Sequence, residues 1–144
     1  MNEAPRLIVL DTNVVLDLLH FDDALTRPLR TALEAGRLRG AVSEASFTEW
    51  TRVLAYPAFG LAPARQIELT ARYRAWCEWF TPPAVPGVAR CRDRDDQKFL
   101  DLAAGLAIPL VSKDRAVLKL RRRQNPLPRI FSPAEACQWL AGDR

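Results

Sequence analysis

Short apolar runs alternate along this chain with longer segments of helical periodicity. Leu7-Ile8-Val9-Leu10 is continuous and apolar, the pattern of a strand covered on both faces, and Asp11-Thr12-Asn13 ends it. A short helix is expected from Val14 to Leu19 and another from Asp22 to Ala35, closed by Gly36. Gly40-Ala41-Val42 is a second strand by its position. Ser43 is the expected N-cap of a helix reaching Ala55, beyond which Pro57 and Gly60 break the pattern. Pro63 to Phe80 reads as the longest helix. Its Leu69, Tyr73, Trp76 and Phe80 recur at spacings of four, three and four and so share one face, as core rather than as a platform for stacked bases.

Thr81 to Gly87 carries three prolines and is a loop or an irregular edge. Asp96 to Leu106 is again helical, with Phe99, Leu100, Ala103 and Ala107 on one side. Pro109-Leu110-Val111 is a buried strand ended by Ser112-Lys113-Asp114, and Arg115 to Arg122 is helical. Arg129-Ile130-Phe131 is a last short strand. Ser132-Pro133-Ala134-Glu135 then combines an N-cap, a proline at the first helical position and a capping-box glutamate, starting a helix that runs to about Leu140. Strands alternating with helices predict an α/β fold, a three-layer α/β/α sandwich around a mainly parallel sheet. No repeat, low-complexity tract or linker interrupts residues 1–144, which are expected to form one domain.

Composition narrows the function classes. Of 144 residues, 49% are hydrophobic and 26% charged, which is the balance of a folded chain rather than a disordered one. The formal net charge of +4 permits an anionic partner without identifying one. Cys77, Cys91 and Cys137 are odd in number and widely spaced, which argues against a zinc site or a disulfide framework and for a reducing compartment. The segment before Asp11 lacks the apolar core of a signal peptide, and no run is long enough to span a bilayer. A cytoplasmic protein is the expectation.

The informative chemistry is acidic. Asp11 stands directly after one buried strand and Asp114 after another, and ligands of open α/β sheets sit outside the carboxyl ends of the strands. Two carboxylates brought to one sheet edge repel each other, and burying them is costly without a cation. The alternative is that each only caps the helix that follows it. Asp93, Asp95 and Asp96 cluster at a helix start, where the helix dipole also favours them. If that helix begins there, Asp96 lies in its first turn and can face Asp11. Glu49 lies inside the helix capped by Ser43; a helix beginning instead at Ser46 would make Glu49 a capping-box residue.

Four segments carry a resemblance: Leu10-Asp11-Thr12-Asn13-Val14, Glu49 followed by Arg52-Val53-Leu54, Asp93-Arg94-Asp95-Asp96-Gln97-Lys98-Phe99-Leu100, and Val111-Ser112-Lys113-Asp114. In that order they resemble the PIN-domain family, most of all its bacterial branch of toxin components from toxin–antitoxin pairs. The resemblance implies a nuclease dependent on Mg²⁺ or Mn²⁺. Its metal-binding and catalytic quartet would be Asp11, Glu49, Asp96 and Asp114, with Asp93 as a further acidic position. Ser112 falls where related sequences often have threonine, so a hydroxyl is kept. Asn13 matches a polar position that orients the first aspartate or a bound water.

Carboxylates are hard oxygen ligands suited to these ions, which activate water and offset charge on a scissile phosphate. His20 is the only histidine, so a metal-free route through paired histidines lacks its second member. Arg90, Arg92 and Arg94 flank the second acidic cluster, and Lys119, Arg121, Arg122 and Arg123 follow Asp114. Either group can track RNA phosphates, or be a solvated face. Two competing readings are a phosphatase of the haloacid dehalogenase type and a non-catalytic binding module on the same fold. The first wants a second aspartate where this chain has Asn13. Expected partners are RNA and a second copy of the chain, and the resemblance implies a cognate antitoxin laid over the acidic cleft.

Overall fold

The computed structural model describes residues 4–122 and 128–142. Five strands form one parallel sheet in the order β3-β2-β1-β4-β5: β1 Arg6–Leu10, β2 Leu38–Val42, β3 Cys77–Trp79, β4 Leu110–Val111 and β5 Ile130–Phe131. The chain winds outward from β1 through β2 to β3, then returns to build β4 and β5 on the other side. The direction of winding therefore switches between β1 and β4, and ligands of open α/β sheets bind beyond the strand ends at such a switch.

Side chains alternate across the pleat, and so feed two cores. Ile8 and Leu10 enter one, with α1 (Thr12–Leu19), α2 (Arg27–Glu34), α3 (Glu44–Leu54), α4 (Pro63–Ala75) and α7 (Pro133–Gly142). Val9 enters the other, beneath α5 (Arg94–Leu106) and α6 (Arg115–Lys119). This is the expected three-layer sandwich. Among the described residues no helix is long and apolar enough to cross a membrane.

Helix ends follow local chemistry. Ser43 caps α3 in a reciprocal pair with Ser46, which removes Glu49 from any capping role. Ser132 and Glu135 form the expected capping box, the Ser132 amide donating to Glu135 Oε1 at 2.8 Å and the Glu135 amide to Ser132 Oγ at 3.2 Å. Gly36 stops α2 at φ +77°. Its amide donates to Leu33 O and that of Arg37 to Ala32 O, the paired bonds that need a left-handed residue between them.

Three expectations need correction. The helix expected from Pro63 to Phe80 ends at Ala75, and Cys77–Trp79 becomes edge strand β3, in register with Gly40–Val42. Leu69, Tyr73 and Trp76 do share the first core, but Phe80 packs against the second. A three-residue strand paired on one side owes its existence to the partner strand, so nothing local announces it. The helix expected from Asp22 begins at Arg27 after a 3₁₀ turn over Ala24–Thr26. Pro28 lacks an N–H and sits in the first turn, which forbids the earlier start. The helix expected over Arg115 to Arg122 is α-helical only to Lys119 and tightens to 3₁₀ over Leu120–Arg122.

Candidate active site

Asp11 leaves β1 with its amide bonded to Val111 O at 3.0 Å, which brings it beside Ser112 at the end of β4. The Ser112 hydroxyl, itself fully buried, donates to Asp11 Oδ2 at 2.7 Å. Asp11 is 5% exposed and makes no capping bond to α1. Capping thus does not account for this carboxylate. Burial pushes its pKa up, the Ser112 hydrogen bond opposes that, and the charges of Asp114 and Glu49 add to it.

Asp114 and Asp93 do cap. Asp114 Oδ1 accepts from the amides of Ala116 and Val117 at 2.8 and 3.3 Å, and Asp93 Oδ1 from that of Asp95 at 2.9 Å. Capping α5 with Asp93 starts that helix two residues before Asp96 and leaves Asp96 half-buried in its first turn. Burial, together with the charges of Asp11, Asp114, Asp93 and Glu49, raises Asp96 from 3.8 to about 7. Carboxylates from β1, α3, α5 and the β4 end thus share one electrostatic field.

Glu49 meets that field differently. Its side chain is 12% exposed, and its Oε1 accepts from Lys98 Nζ of α5 at 3.1 Å and from the Arg52 guanidinium one turn along α3. Sequence reasoning missed Lys98, because the contact joins residues 49 apart. It also missed Gln97. The Gln97 side chain accepts from the Cys91 amide and donates to Ala89 O and Asp101 Oδ1, pinning the loop that carries Arg90 and Arg92 to α5.

Arg90, Arg92 and Arg94 are exposed around this loop and the α5 start, and Lys119 and Arg122 are exposed beyond α6. Arg121 is engaged, pairing with Glu135 and so tying the 3₁₀ turn to α7. Arg123 lies outside the described residues.

Among the described residues no three acidic, histidine or cysteine side chains stand close enough to grip an ion as they are. The carboxylates share a field rather than a coordination sphere. The residues fit a divalent cation on three counts. Their oxygens are hard donors. The raised pKa values of Asp11 and Asp96 mark burial and repulsion that a cation would relieve. Asn13 Oδ1, in the first turn of α1, is buried with no hydrogen-bond partner among the described residues.

Comparison with known proteins bears on the family and the fold. A model of the PIN domain matches residues 7–116. No curated protein matches the chain. Among solved structures, PAE2754 from Pyrobaculum aerophilum is similar with a TM-score of 0.63 and 15% identity, over 97% of this chain and 98% of that one. VapBC2 from Rickettsia felis, bound to a DNA fragment from its promoter, is similar with a TM-score of 0.60 and 12% identity, over 88% and 98%. At these identities the likeness is one of fold.

Proposed function

The chain belongs to the PIN-domain family, and on that premise we propose that it is a metal-dependent endoribonuclease, the toxin of a toxin–antitoxin pair. One observation carries the proposal: Asp11 is buried at the end of β1 with no capping bond, at the switch point of a parallel sheet, near enough to Asp114, Glu49 and Asp96 for their charges to act on one another. Such crowding of like charge is costly to a fold and useful to a cation site.

In this reading Asp11, Asp96 and Asp114 hold Mg²⁺ or Mn²⁺, with Glu49 and Asp93 completing the acidic rim. The chemistry supplied by the bound ion is activation of water and neutralisation of charge at the scissile phosphate. Ser112 holds one oxygen of Asp11 and leaves the other for the ion. Asn13 presents its buried acceptor to a metal-held water. Arg90, Arg92 and Arg94 flank the cleft and track the RNA backbone, on a loop kept in place by Gln97. A cognate antitoxin covers the same negative cleft with a cationic segment.

The test is cleavage of single-stranded RNA by the purified chain in Mg²⁺, in Mn²⁺ and in EDTA. Cleavage is expected only with metal. Asp11→Asn should lower the rate by more than about 100-fold, the upper end of the effect of residues that merely support a ligand. Equal cleavage by the Asp11→Asn variant, or cleavage in EDTA, ends the proposal. The non-catalytic module has one observation in its favour, the double cation on Glu49. RNA binding with no cleavage under any metal would decide for it.

A further inference from the structure

Of the buried residues of α1, Asp17 alone is charged. Its side chain is 8% exposed, and a carboxylate in that position is costly unless compensated. Its compensation comes from outside the helix. Lys113 Nζ, from the loop after β4, stands 2.7 Å from Asp17 Oδ2, approaching off the hydrogen-bonding direction. The contact is therefore one of charge. The two partners depend on it unequally. The Lys113 side chain is 46% exposed and keeps water without Asp17, whereas Asp17 Oδ2 is buried away from water.

Lys113 sits between two residues of the acidic site. Before it, Ser112 Oγ donates to Asp11 Oδ2. After it, the Asp114 amide donates to Ser112 Oγ at 3.0 Å, and the Asp114 carboxylate caps α6. Three consecutive residues are thus tied to the start of α1, the body of α1 and the start of α6.

We propose that the Lys113–Asp17 pair is a latch that holds the Asp114 loop against Asp11, making both members positioning residues of the acidic site. The consequence for metal uptake rests on the metal-site reading above; the latch itself has a separate readout. The demand of a buried carboxylate for a cation fixes where Lys113 goes, and the chain connection carries Ser112 and Asp114 with it. Neither residue touches the reacting centre.

The experiment uses the full chain and Mn²⁺ alone as the probe, with affinity read by calorimetry. Lys113→Met and Asp17→Asn should each weaken Mn²⁺ binding about tenfold or more, as loss of support for a ligand does elsewhere. Lys113→Arg keeps the charge and should stay within about threefold of the parent. Asp17→Asn removes the buried charge itself, so it folds even if Lys113→Met does not. In parallel, hydrogen exchange at the Ala116 and Val117 amides, which Asp114 caps, should speed up in Asp17→Asn while β1 stays protected. Unchanged affinity and unchanged exchange at those amides overturn the latch. Faster exchange throughout the chain with Mn²⁺ affinity kept shows a merely structural pair and overturns it equally. A parent chain that takes up no Mn²⁺ overturns the metal reading instead, and the exchange result then decides the latch.

Discussion

Asp11 and Glu49 bring the same charge to the same site, yet their surroundings treat it in opposite ways. Asp11 is held between two central strands by a neutral donor, the Ser112 hydroxyl, and its pKa is raised by burial. Glu49 rides on helix α3 and is met by two cations, Lys98 and Arg52. The Asp11 half of the site leaves negative charge uncompensated; the Glu49 half cancels it internally. In the proposed metal-site reading, this difference puts the ion off-centre, toward Asp11, Asp96 and Asp114.

The sharpest way to break this comparison is Ser112→Ala. It leaves Asp11 buried without its hydroxyl donor, and a lost bond to a charged group costs about 1.5–3 kcal/mol. The loss should be read from urea denaturation at pH 8 in EDTA. A change under about 0.5 kcal/mol, the level of an ordinary surface substitution, would show that Asp11 is not isolated as described.

A smaller effect is expected from pH. Asp96 has its pKa raised from 3.8 to about 7 in the folded chain. Between those values the folded state holds a proton that the unfolded state has released, so stability must fall as pH rises through that window. The full shift is worth roughly 4 kcal/mol, and because Asp96 is only half-buried, solvent screening reduces this to on the order of 1–2 kcal/mol. Thermal melts in EDTA should therefore show a chain more stable at pH 5 than at pH 8, with Asp96→Asn flattening the difference. Saturating Mg²⁺ should restore the loss at pH 8 by binding the folded state. A parent chain equally stable at both pH values, or one unaffected by Asp96→Asn, contradicts the crowded site.

Lys98→Met should matter least to the fold, since Arg52 still pairs with Glu49. Its cost is expected below about 1 kcal/mol, the range of partly exposed ion pairs. Freed from Lys98, Glu49 adds to the field, so Mg²⁺ should stabilise this variant more than the parent. A smaller metal effect in Lys98→Met would mean that Glu49 is not neutralised by Lys98, and the contrast between the halves would collapse.

Much of this molecule follows from its sequence alone. The apolar run before Asp11 and the run before Ser112 are strands because continuous burial on two faces leaves no other regular pattern of that length. Ser43, Gly36 and the Ser132–Glu135 pair mark helix ends by bonds made within a few residues. Asp11 and Asp114 stood out as candidates because residue type and position after a strand are local properties, whereas Glu49, in the middle of α3, and Asp96, one of three clustered aspartates, were singled out only through the family resemblance. What lay beyond reach depends on partners distant in the chain. β3 exists only because β2 offers it hydrogen bonds, and Phe80 changes faces because that strand intervenes. Asp11 and Asp114 could each have been simple caps; the register of β1 on β4 decided that only the second one is. The counter-charges were the least legible, since Lys98 reaches Glu49 and Lys113 reaches Asp17 across the fold, and electrostatics acts through distance in space whatever the separation along the chain.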